Sequence, residues 1–326
     1  MTVGAVLLCA ACGQSGPPAA AATSSAAGKV FPLTGLPAGS VRAASQPALA
    51  VKIDNIAQAR PQFGLDKADV VWDTPVEGGL TRLFAVFQSR SADVVGPVRS
   101  ARPVDADLLQ LLRGGVFAYS GADPREIAPV KARSGAVLVS NDDHPGYFYR
   151  SGGRQSPDNV LSSTTRLLAA GRALGRPSGP PPQLFTYAPA APRGAVTSRL
   201  DVVFSPYASA GWRRAGSRYQ RLQDSTPDRL QGGARIATDN VVILSVQLRG
   251  TGIFDAAHNE DPLVVLTGRG QAWLMRDGVM VKGTWSRGPG SRALALVGAD
   301  GRPMALRPGS TWVELLPRGR TPLFRP

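Results

Sequence analysis

Cysteine and histidine are almost absent from this chain of 326 residues. Both cysteines, Cys9 and Cys12, lie near the start, and His144 and His258 are the two histidines. Thiol catalysis, Cys-ligated metals and structural disulfides are therefore excluded from the body of the protein. A histidine-based metal site would need both histidines and additional carboxylates. We expect neither a metal nor a cofactor.

Lysine is also scarce, and the motifs of common enzyme classes are missing. Only five of the 37 basic residues are lysine, and with 23 acidic residues the net charge is +14. The sequence contains no Walker loop, no Gly-x-Gly-x-x-Gly, no Gly-x-Ser-x-Gly elbow and no His-Glu-x-x-His. These absences weigh against nucleotide enzymes, serine acyltransferases and zincins, so an enzymatic activity is left open but not favoured.

The N-terminus has the pattern of an exported lipoprotein. A short apolar stretch ends in small residues, Cys12 and Gly13, which is typical of a signal peptide over residues 1–12 with Cys12 acylated. The alternative is an apolar N-terminus with two chance cysteines. Residues 13–29 are almost entirely Ser, Gly, Pro, Ala and Thr, which predicts a flexible tether. We expect a lipid anchor at the extracytoplasmic face of the cell membrane.

Residues 30–176 alternate between strand and helix patterns, which predicts an N-terminal mixed α/β domain. The predicted strands are 50–53, 68–72, 80–88, 116–119 and 136–139, and the predicted helices are 103–113, 124–131 and 164–173. Residues 177–183 are rich in proline and predict a linker.

In residues 184–326 apolar and polar residues alternate with a period of two, which predicts a mostly antiparallel β domain. Together with the N-terminal domain, this predicts an α+β fold for the whole chain. The predicted strands are 200–204, 212–222, 240–248, 263–267, 271–275, 279–285, 293–297 and 311–316. The pair Asp277-Gly278 between two of them predicts a tight hairpin turn.

Several ordered strings resemble one bacterial family. They are Val51-Lys52-Ile53-Asp54-Asn55, Ala59-Arg60-Pro61-Gln62, Gly64-Leu65, Ala68-Asp69, Val76-Glu77-Gly78-Gly79-Leu80-Thr81-Arg82, Gly96-Pro97-Val98-Arg99-Ser100-Ala101-Arg102-Pro103, Gly283-Thr284-Trp285 and Gly309-Ser310-Thr311-Trp312-Val313. The series is similar to the YerB-like lipoprotein family, whose domains have no assigned biochemical function. The resemblance implies an exported, membrane-anchored protein with a two-part body. Asp158 stands where the family pattern has histidine, so any chemistry of that histidine is in doubt here.

Three arginines form the first candidate site. Arg82 begins a predicted strand, whereas Arg99 and Arg102 follow a short apolar run and precede a predicted helix. If these segments pair, the guanidinium groups gather at one edge of the sheet and can bind phosphate or carboxylate. The alternative is internal pairing with carboxylates, namely Asp69, Asp73, Glu77 and Asp105.

The other candidate ligand-binding residues lie in loops or at strand ends, and they are Asp54, Asn55, Arg60, Glu77, Arg154 and Asn159. The pair Asp54-Asn55 is suited either to a ligand or to an Asx turn. Glu77 precedes two glycines, which permit the close approach of a ligand or a tight turn. Arg154 and Asn159 follow the aromatic residues 147–149, which can stack a sugar or pack under a loop.

The function expected from these patterns is that of a binding or assembly factor at the cell envelope. The chain is basic after Trp285, so acidic envelope polymers, lipid headgroups or an envelope protein are the expected partners, and nucleic acid is not. The alternative is an enzyme acting on a pyrophosphate-linked substrate. The order of a strand, a Ser-x-Arg segment, a helix and Ala118-Tyr119-Ser120-Gly121 is similar to LytR-CpsA-Psr phosphotransferases, which hold polyprenyl pyrophosphate with arginines.

Overall fold

The computed structural model describes residue 1 and residues 30–326, and the predicted acylation site Cys12 and tether 13–29 lie outside the described residues. The described chain is mostly β with a few helices. No helix within this part is long and apolar enough to cross a membrane. The helices are α1 (Val41–Ala44), α2 (Asp105–Leu111), α3 (Pro124–Arg133) and α4 (Thr164–Leu174).

Twenty strands are assigned within residues 30–326. Those of the N-terminal half are β1 (Leu49–Asp54), β2 (Val70–Pro75), β3 (Thr81–Phe87), β4 (Gly115–Tyr119), β5 (Ala136–Ser140), β6 (Tyr149–Arg150) and β7 (Val160–Leu161). Those of the C-terminal half are β8 (Ala195–Val196), β9 (Arg199–Ser205), β10 (Ala208–Ala215), β11 (Arg218–Gln223), β12 (Thr226–Pro227), β13 (Ala237–Thr238), β14 (Asn240–Phe254), β15 (Glu260–Val265), β16 (Gly268–Arg276), β17 (Val279–Arg287), β18 (Ala295–Gly298), β19 (Thr311–Pro317) and β20 (Leu323–Arg325).

One large sheet runs through both halves of the chain. Its main order is β18-β17-β16-β14-β19-β2-β3-β1-β4-β5. The halves join where β19 pairs with β2 in parallel, from Thr311 opposite Val70 to Glu314 opposite Asp73. Strands on both sides of the predicted linker therefore belong to a single sheet.

The large sheet is the middle of three layers. One face packs against α2 and α3 through residues such as Trp72, Phe84 and Leu109. The other face packs against α4 and against a second sheet, of order β12-β11-β10-β9-β20, with Trp212 in the core. Because side chains alternate along a strand, each central strand contributes to both cores.

The predicted architecture is correct only in part. In the N-terminal half β1, β4 and β5 are parallel neighbours with α3 between β4 and β5, but β2, β3 and β1 pair antiparallel. The predicted strand 212–222 is two strands, because a turn at Gly216 with φ +64° reverses the chain. The predicted hairpin turn at Asp277-Gly278 is confirmed. The two residues have φ values of 50° and 82°, and a two-residue type I′ turn requires positive φ at both central positions.

Gly171 allows α4 to pack closely on β4. A Cβ at this position would lie 2.3 Å from Cγ2 of Val116. We expect Gly171→Ala to lower the free energy of unfolding by about 1–2 kcal/mol despite the higher helix propensity of alanine, because the helix must move away from the sheet. Urea denaturation measures the change. Gly153→Ala is the control, since its Cβ would meet no atom within 4 Å, and equal stability of both variants would contradict the prediction.

Candidate functional site

Glu77 holds two of the predicted arginines. It begins a short 3-10 turn between β2 and β3, in which Gly78 and Gly79 adopt φ +67° and +70°, values that favour glycine. Glu77 Oε1 accepts a hydrogen bond from Arg82 Nη2 at 2.7 Å, and Oε2 accepts one from Arg102 Nε at 2.8 Å. Burial alone would raise the pKa of Glu77, but Arg102 and Arg82 outweigh it and lower the pKa to about 2.

Arg102 extends this cluster toward two further carboxylates. Its Nη1 donates to Glu126 Oε2 at 3.1 Å, and its Nε lies 3.3 Å from Asp261 Oδ1. Glu126 is fixed because it also accepts a hydrogen bond from the backbone N–H of Asp123 in the capping box of α3. The guanidinium of Arg102 is thus shared among Glu77, Glu126 and Asp261.

Asp261 lies at the wall of a cleft with a volume of about 190 Å³. It is only 2 % exposed, and neither carboxylate oxygen accepts a hydrogen bond within the described residues. Burial raises its pKa to about 7, an effect that Arg102 opposes and that Glu126 and Glu77 increase. Ile253 and Phe254 from the end of β14 form part of the same cleft, so both halves of the chain build it.

A second group of charges lies beside the first. Arg99 Nε donates to Asp54 Oδ2 at 2.6 Å and lies 3.6 Å from Asp158 Oδ1. Asp54 is directly opposite Arg82 in the pairing of β1 with β3, which connects the two groups. Burial and the neighbouring Asp54 raise the pKa of Asp158.

Asp158 also lines a polar pocket with a volume of about 630 Å³, together with Arg60 and Arg154. Both arginines are engaged, since Arg60 Nη2 pairs with Asp224 at 3.0 Å and Arg154 Nη1 donates to the Ala59 carbonyl at 2.8 Å. The pocket is therefore walled by polar groups that mainly fix the surrounding loops.

Lys52 forms a fully buried ion pair next to the charges around Arg102. Its ammonium group lies 2.7 Å from Asp105 Oδ1 and 3.2 Å from Thr74 Oγ1, and both charged side chains are fully buried. The other oxygen of Asp105 accepts a hydrogen bond from the backbone N–H of Arg102 at 2.8 Å. Asp105 therefore positions Arg102 as well as neutralising Lys52.

We call the connected set the charged band, and it consists of Lys52, Asp54, Glu77, Arg82, Arg99, Arg102, Asp105, Glu126, Asp158 and Asp261. Six carboxylates face four cations, so negative charge is in excess. The pKa values of Asp261, Asp158 and Glu126 are raised mainly by burial, and the neighbouring carboxylates raise them further.

A separate cluster lies between the two sheets. Arg221, fully buried on β11, lies 2.6 Å from both Asp73 and Asp228, and its guanidinium carbon lies 4.8 Å from the ring centre of Trp312. Burial alone would lower the pKa of Arg221, but Asp228 and Asp73 raise it. Burial and the adjacent Asp73 raise the pKa of Glu314 to about 8. This cluster connects the two sheets through the pairing of Arg221 on β11 with Asp73 on β2, and it faces no described cleft.

Arg82, Arg99 and Arg102 lie near one another, but the guanidinium group of each forms an ion pair with a carboxylate. Arg82 and Arg102 pair with Glu77, as the alternative of internal pairing anticipated, whereas Arg99 pairs with Asp54. The other three carboxylates named in that alternative form no ion pair with these arginine side chains: Asp69 accepts hydrogen bonds from Ser89 and Gln88, Asp73 pairs with Arg221, and Asp105 pairs with Lys52.

The remaining predicted residues mostly hold loops in place. Asp54 Oδ1 accepts the backbone N–H of Asn55 at 2.7 Å and that of Ile56 at 3.2 Å, which is the Asx-turn geometry. Asn55 Nδ2 donates to Thr81 Oγ1 at 2.8 Å, and Asn159 Oδ1 accepts from Arg150 at 2.7 Å.

Sequence reasoning did not identify Lys52, Glu126 or Asp261 as members of the site. The sequence signal for Glu126 was the Asp-Pro-Arg-Glu capping box, and for Lys52 it was a lysine inside an apolar strand. Asp261 carries no local signal, because its role depends on β15 reaching Arg102 from the other half of the chain. No group of three or more potential metal ligands occurs in the part of the chain that the structure describes.

Two family models match this chain, an N-terminal domain over residues 33–176 and a C-terminal domain over residues 200–313, both of a protein of unknown function (DUF3048). The chain belongs to the YerB-like family, whose two-part domain has no known function. It is 29% identical over 298 residues to YerB of Bacillus subtilis (strain 168), a protein named as a proposed lipoprotein. The matched region covers 88% of this chain and 86% of that protein. The crystal structure of YerB from Bacillus subtilis matches with a TM-score of 0.76 at 25% identity, over 91% of this chain and 99% of that chain.

Proposed function

We propose that this protein is an exported, membrane-anchored lipoprotein that acts as a binding or assembly factor at the cell envelope, and that the cleft at Asp261 is its ligand site. The observation that carries the proposal is a carboxylate that is 2 % exposed, accepts no hydrogen bond within the described residues and lines a cleft. Burial of a carboxylate that accepts no hydrogen bond is costly, and a bound ligand with suitable donors lowers that cost. In this proposal, a lipid on Cys12 holds the protein at the membrane.

The composition of the cleft determines the kind of ligand. One arginine, Arg102, lines it, against the carboxylates Glu77, Asp123, Glu126, Asp255 and Asp261. This charge favours an ammonium group or a cluster of hydrogen-bond donors. The expectation of an anion site at Arg82, Arg99 and Arg102 gains no support from their contacts, because each guanidinium already faces a carboxylate.

The same contacts favour binding over the alternative phosphotransferase. Stabilising a pyrophosphate requires guanidinium groups that are available to the phosphate oxygens. Arg102 is shared among three carboxylates and Arg99 is paired with Asp54. Releasing them would leave buried carboxylates without partners, which opposes this chemistry.

The proposal predicts a crosslink at the rim of the cleft. Phe254 lines the cleft and is 56% exposed, so replacing it with a photoreactive benzoylphenylalanine places the probe at the opening with little change of shape. We expect irradiation of cells to give an adduct that is about fivefold weaker when Asp261→Asn is added, since the ligand loses its charged partner. Quantitative immunoblotting and mass spectrometry of the adduct measure this.

Tyr149 supplies the matched control position. It is an aromatic residue, 42% exposed, on β6 and outside the described clefts. An adduct that forms equally at Tyr149 and Phe254, or that does not respond to Asp261→Asn, would refute the cleft as the ligand site.

A further inference from the structure

A groove lined by arginines lies where β16, β17 and the turn after β19 meet, and its volume is about 770 Å³. We call it the arginine groove. Its polar lining includes Arg269, Thr284, Ser286, Arg318 and Arg320. All five residues are exposed. None of them belongs to the charged band.

The pairing of β16 with β17 places one arginine beside hydroxyl groups. Arg269 is directly opposite Ser286, and Gln271 is directly opposite Thr284. Directly opposed residues share a face, and so do residues two positions apart on one strand. The guanidinium, the amide and both hydroxyls therefore project from the same face of the sheet.

The other two arginines come from the turn after β19. The backbone N–H of Arg320 donates to the Pro317 carbonyl at 3.2 Å, and Gly319 adopts φ +92°. Arg318 Nη2 lies 3.4 Å from the carbonyl oxygen of Arg269, so this turn lies against the start of β16. Three guanidinium groups on two separate segments thus border one groove.

Gly270 allows Trp285, directly opposite it on β17, to pack closely on the face of the sheet away from Arg269 and Gln271. A Cβ there would lie 2.3 Å from the Ser245 carbonyl oxygen and 2.5 Å from Trp285 Nε1. Its absence lets the indole of Trp285, which is 1% exposed, donate a hydrogen bond to that carbonyl at 2.9 Å. A buried tryptophan therefore fixes the strands that carry the polar groups.

The charge of the arginine groove differs from that of the charged band. Among residues 30–326 no carboxylate forms an ion pair with Arg269, Arg318 or Arg320, and no Asp or Glu lines the groove. In contrast, the arginines of the charged band all face carboxylates. Three uncompensated guanidinium groups beside hydroxyl donors attract an anion with several acceptor oxygens.

We propose that the arginine groove is a binding site for a phosphate group, held by Arg269, Arg318 and Arg320 with hydroxyl donors from Thr284 and Ser286. Arginine matches phosphate geometry with paired N–H donors. The phosphate comes either from a lipid headgroup or from a free phosphate compound. This site is independent of the cleft at Asp261 and of its ligand.

Titration calorimetry of the full, unacylated chain with pyrophosphate tests the site. We expect the triple variant Arg269→Gln, Arg318→Gln and Arg320→Gln to raise the dissociation constant about tenfold or more, because it removes the charge-assisted hydrogen bonds. The control variant Arg42→Gln, Arg166→Gln and Arg213→Gln removes the same charge from exposed arginines that form no ion pair within the described residues. It should change the dissociation constant less than about threefold, since the remaining effect is long-range and screened.

Flotation with phosphatidylglycerol vesicles, compared with phosphatidylcholine vesicles, identifies the source of the phosphate. Flotation that the groove variant loses and the control variant keeps assigns a lipid headgroup. Pyrophosphate binding that the groove variant loses, with vesicle flotation unchanged, assigns a free phosphate compound. Equal weakening by both triple variants, or equal heats for pyrophosphate and acetate at matched ionic strength, would overturn the site.

Discussion

Replacing Arg221 with methionine is expected to lower the free energy of unfolding by about 3–5 kcal/mol, the usual cost of removing one partner from a buried ion pair. Arg221 is fully buried and lies 2.6 Å from both Asp73 and Asp228. Methionine fills much of the volume beside Trp312 but leaves the carboxylates without a counter-charge. Urea denaturation monitored by tryptophan fluorescence measures the loss.

Arg213→Met is the matched control, because Arg213 is exposed on the neighbouring strand β10 and has no carboxylate partner among the described residues. It should change stability by less than about 0.5 kcal/mol. Adding Asp73→Asn and Asp228→Asn to Arg221→Met should recover part of the loss, since the orphaned charges are then gone. If Arg221→Met and Arg213→Met unfold at the same urea concentration, the cluster does not stabilise the contact between the sheets.

Local patterns in the sequence predicted most individual elements. The predicted helix 124–131 corresponds to α3 (Pro124–Arg133), because Asp123 and Glu126 form a capping box that fixes its start. The predicted strand 50–53 corresponds to β1 (Leu49–Asp54), whose side chains are buried on both faces. Such features depend on residues close together in the chain, so periodicity and capping suffice to find them.

The joining of the two halves could not be predicted in the same way. The parallel pairing of β2 with β19 brings Val70 beside Thr311, a contact for which no local sequence pattern exists. The extent of β14, Asn240–Phe254, was underestimated because its second part is exposed and lacks the apolar alternation of a core strand. That second part and β15 supply the C-terminal wall of the cleft.

Some members of the candidate site could likewise be predicted from the local sequence, whereas others depend on contacts between distant parts of the chain. The glycines after Glu77 indicated a tight turn or a ligand site, and the structure has a turn there. Two of the carboxylates around Arg102 lie on α3 and β15, which are distant from it in the chain, so local sequence does not indicate them. The arginines in the sequence leave both an anion site and internal pairing with carboxylates open. The folded arrangement of Arg102 favours internal pairing, because carboxylates from both halves of the chain surround it.

Asp261→Asn is expected to stabilise the protein at alkaline pH. Burial raises the pKa of Asp261 from an ordinary 3.8 to about 7, so the folded state holds a proton that the unfolded state releases between about pH 4 and pH 7. Stability attributable to Asp261 therefore falls as pH rises through this window and the cost is fully present above it. Asparagine does not ionise, so we expect a gain of about 2–4 kcal/mol at about pH 8.

The gain should disappear at about pH 4, where Asp261 is protonated in the folded protein and asparagine removes no charge. Asp255→Asn is the matched control at the rim of the same cleft. Hydrogen bonds from Asn259 lower the pKa of Asp255, so its charged form is favoured in the folded protein and its replacement should give no gain at alkaline pH. Urea denaturation at both pH values separates these cases. A gain for Asp261→Asn that is independent of pH would contradict the raised pKa of Asp261, because the gain would then not come from ionisation of the buried carboxylate.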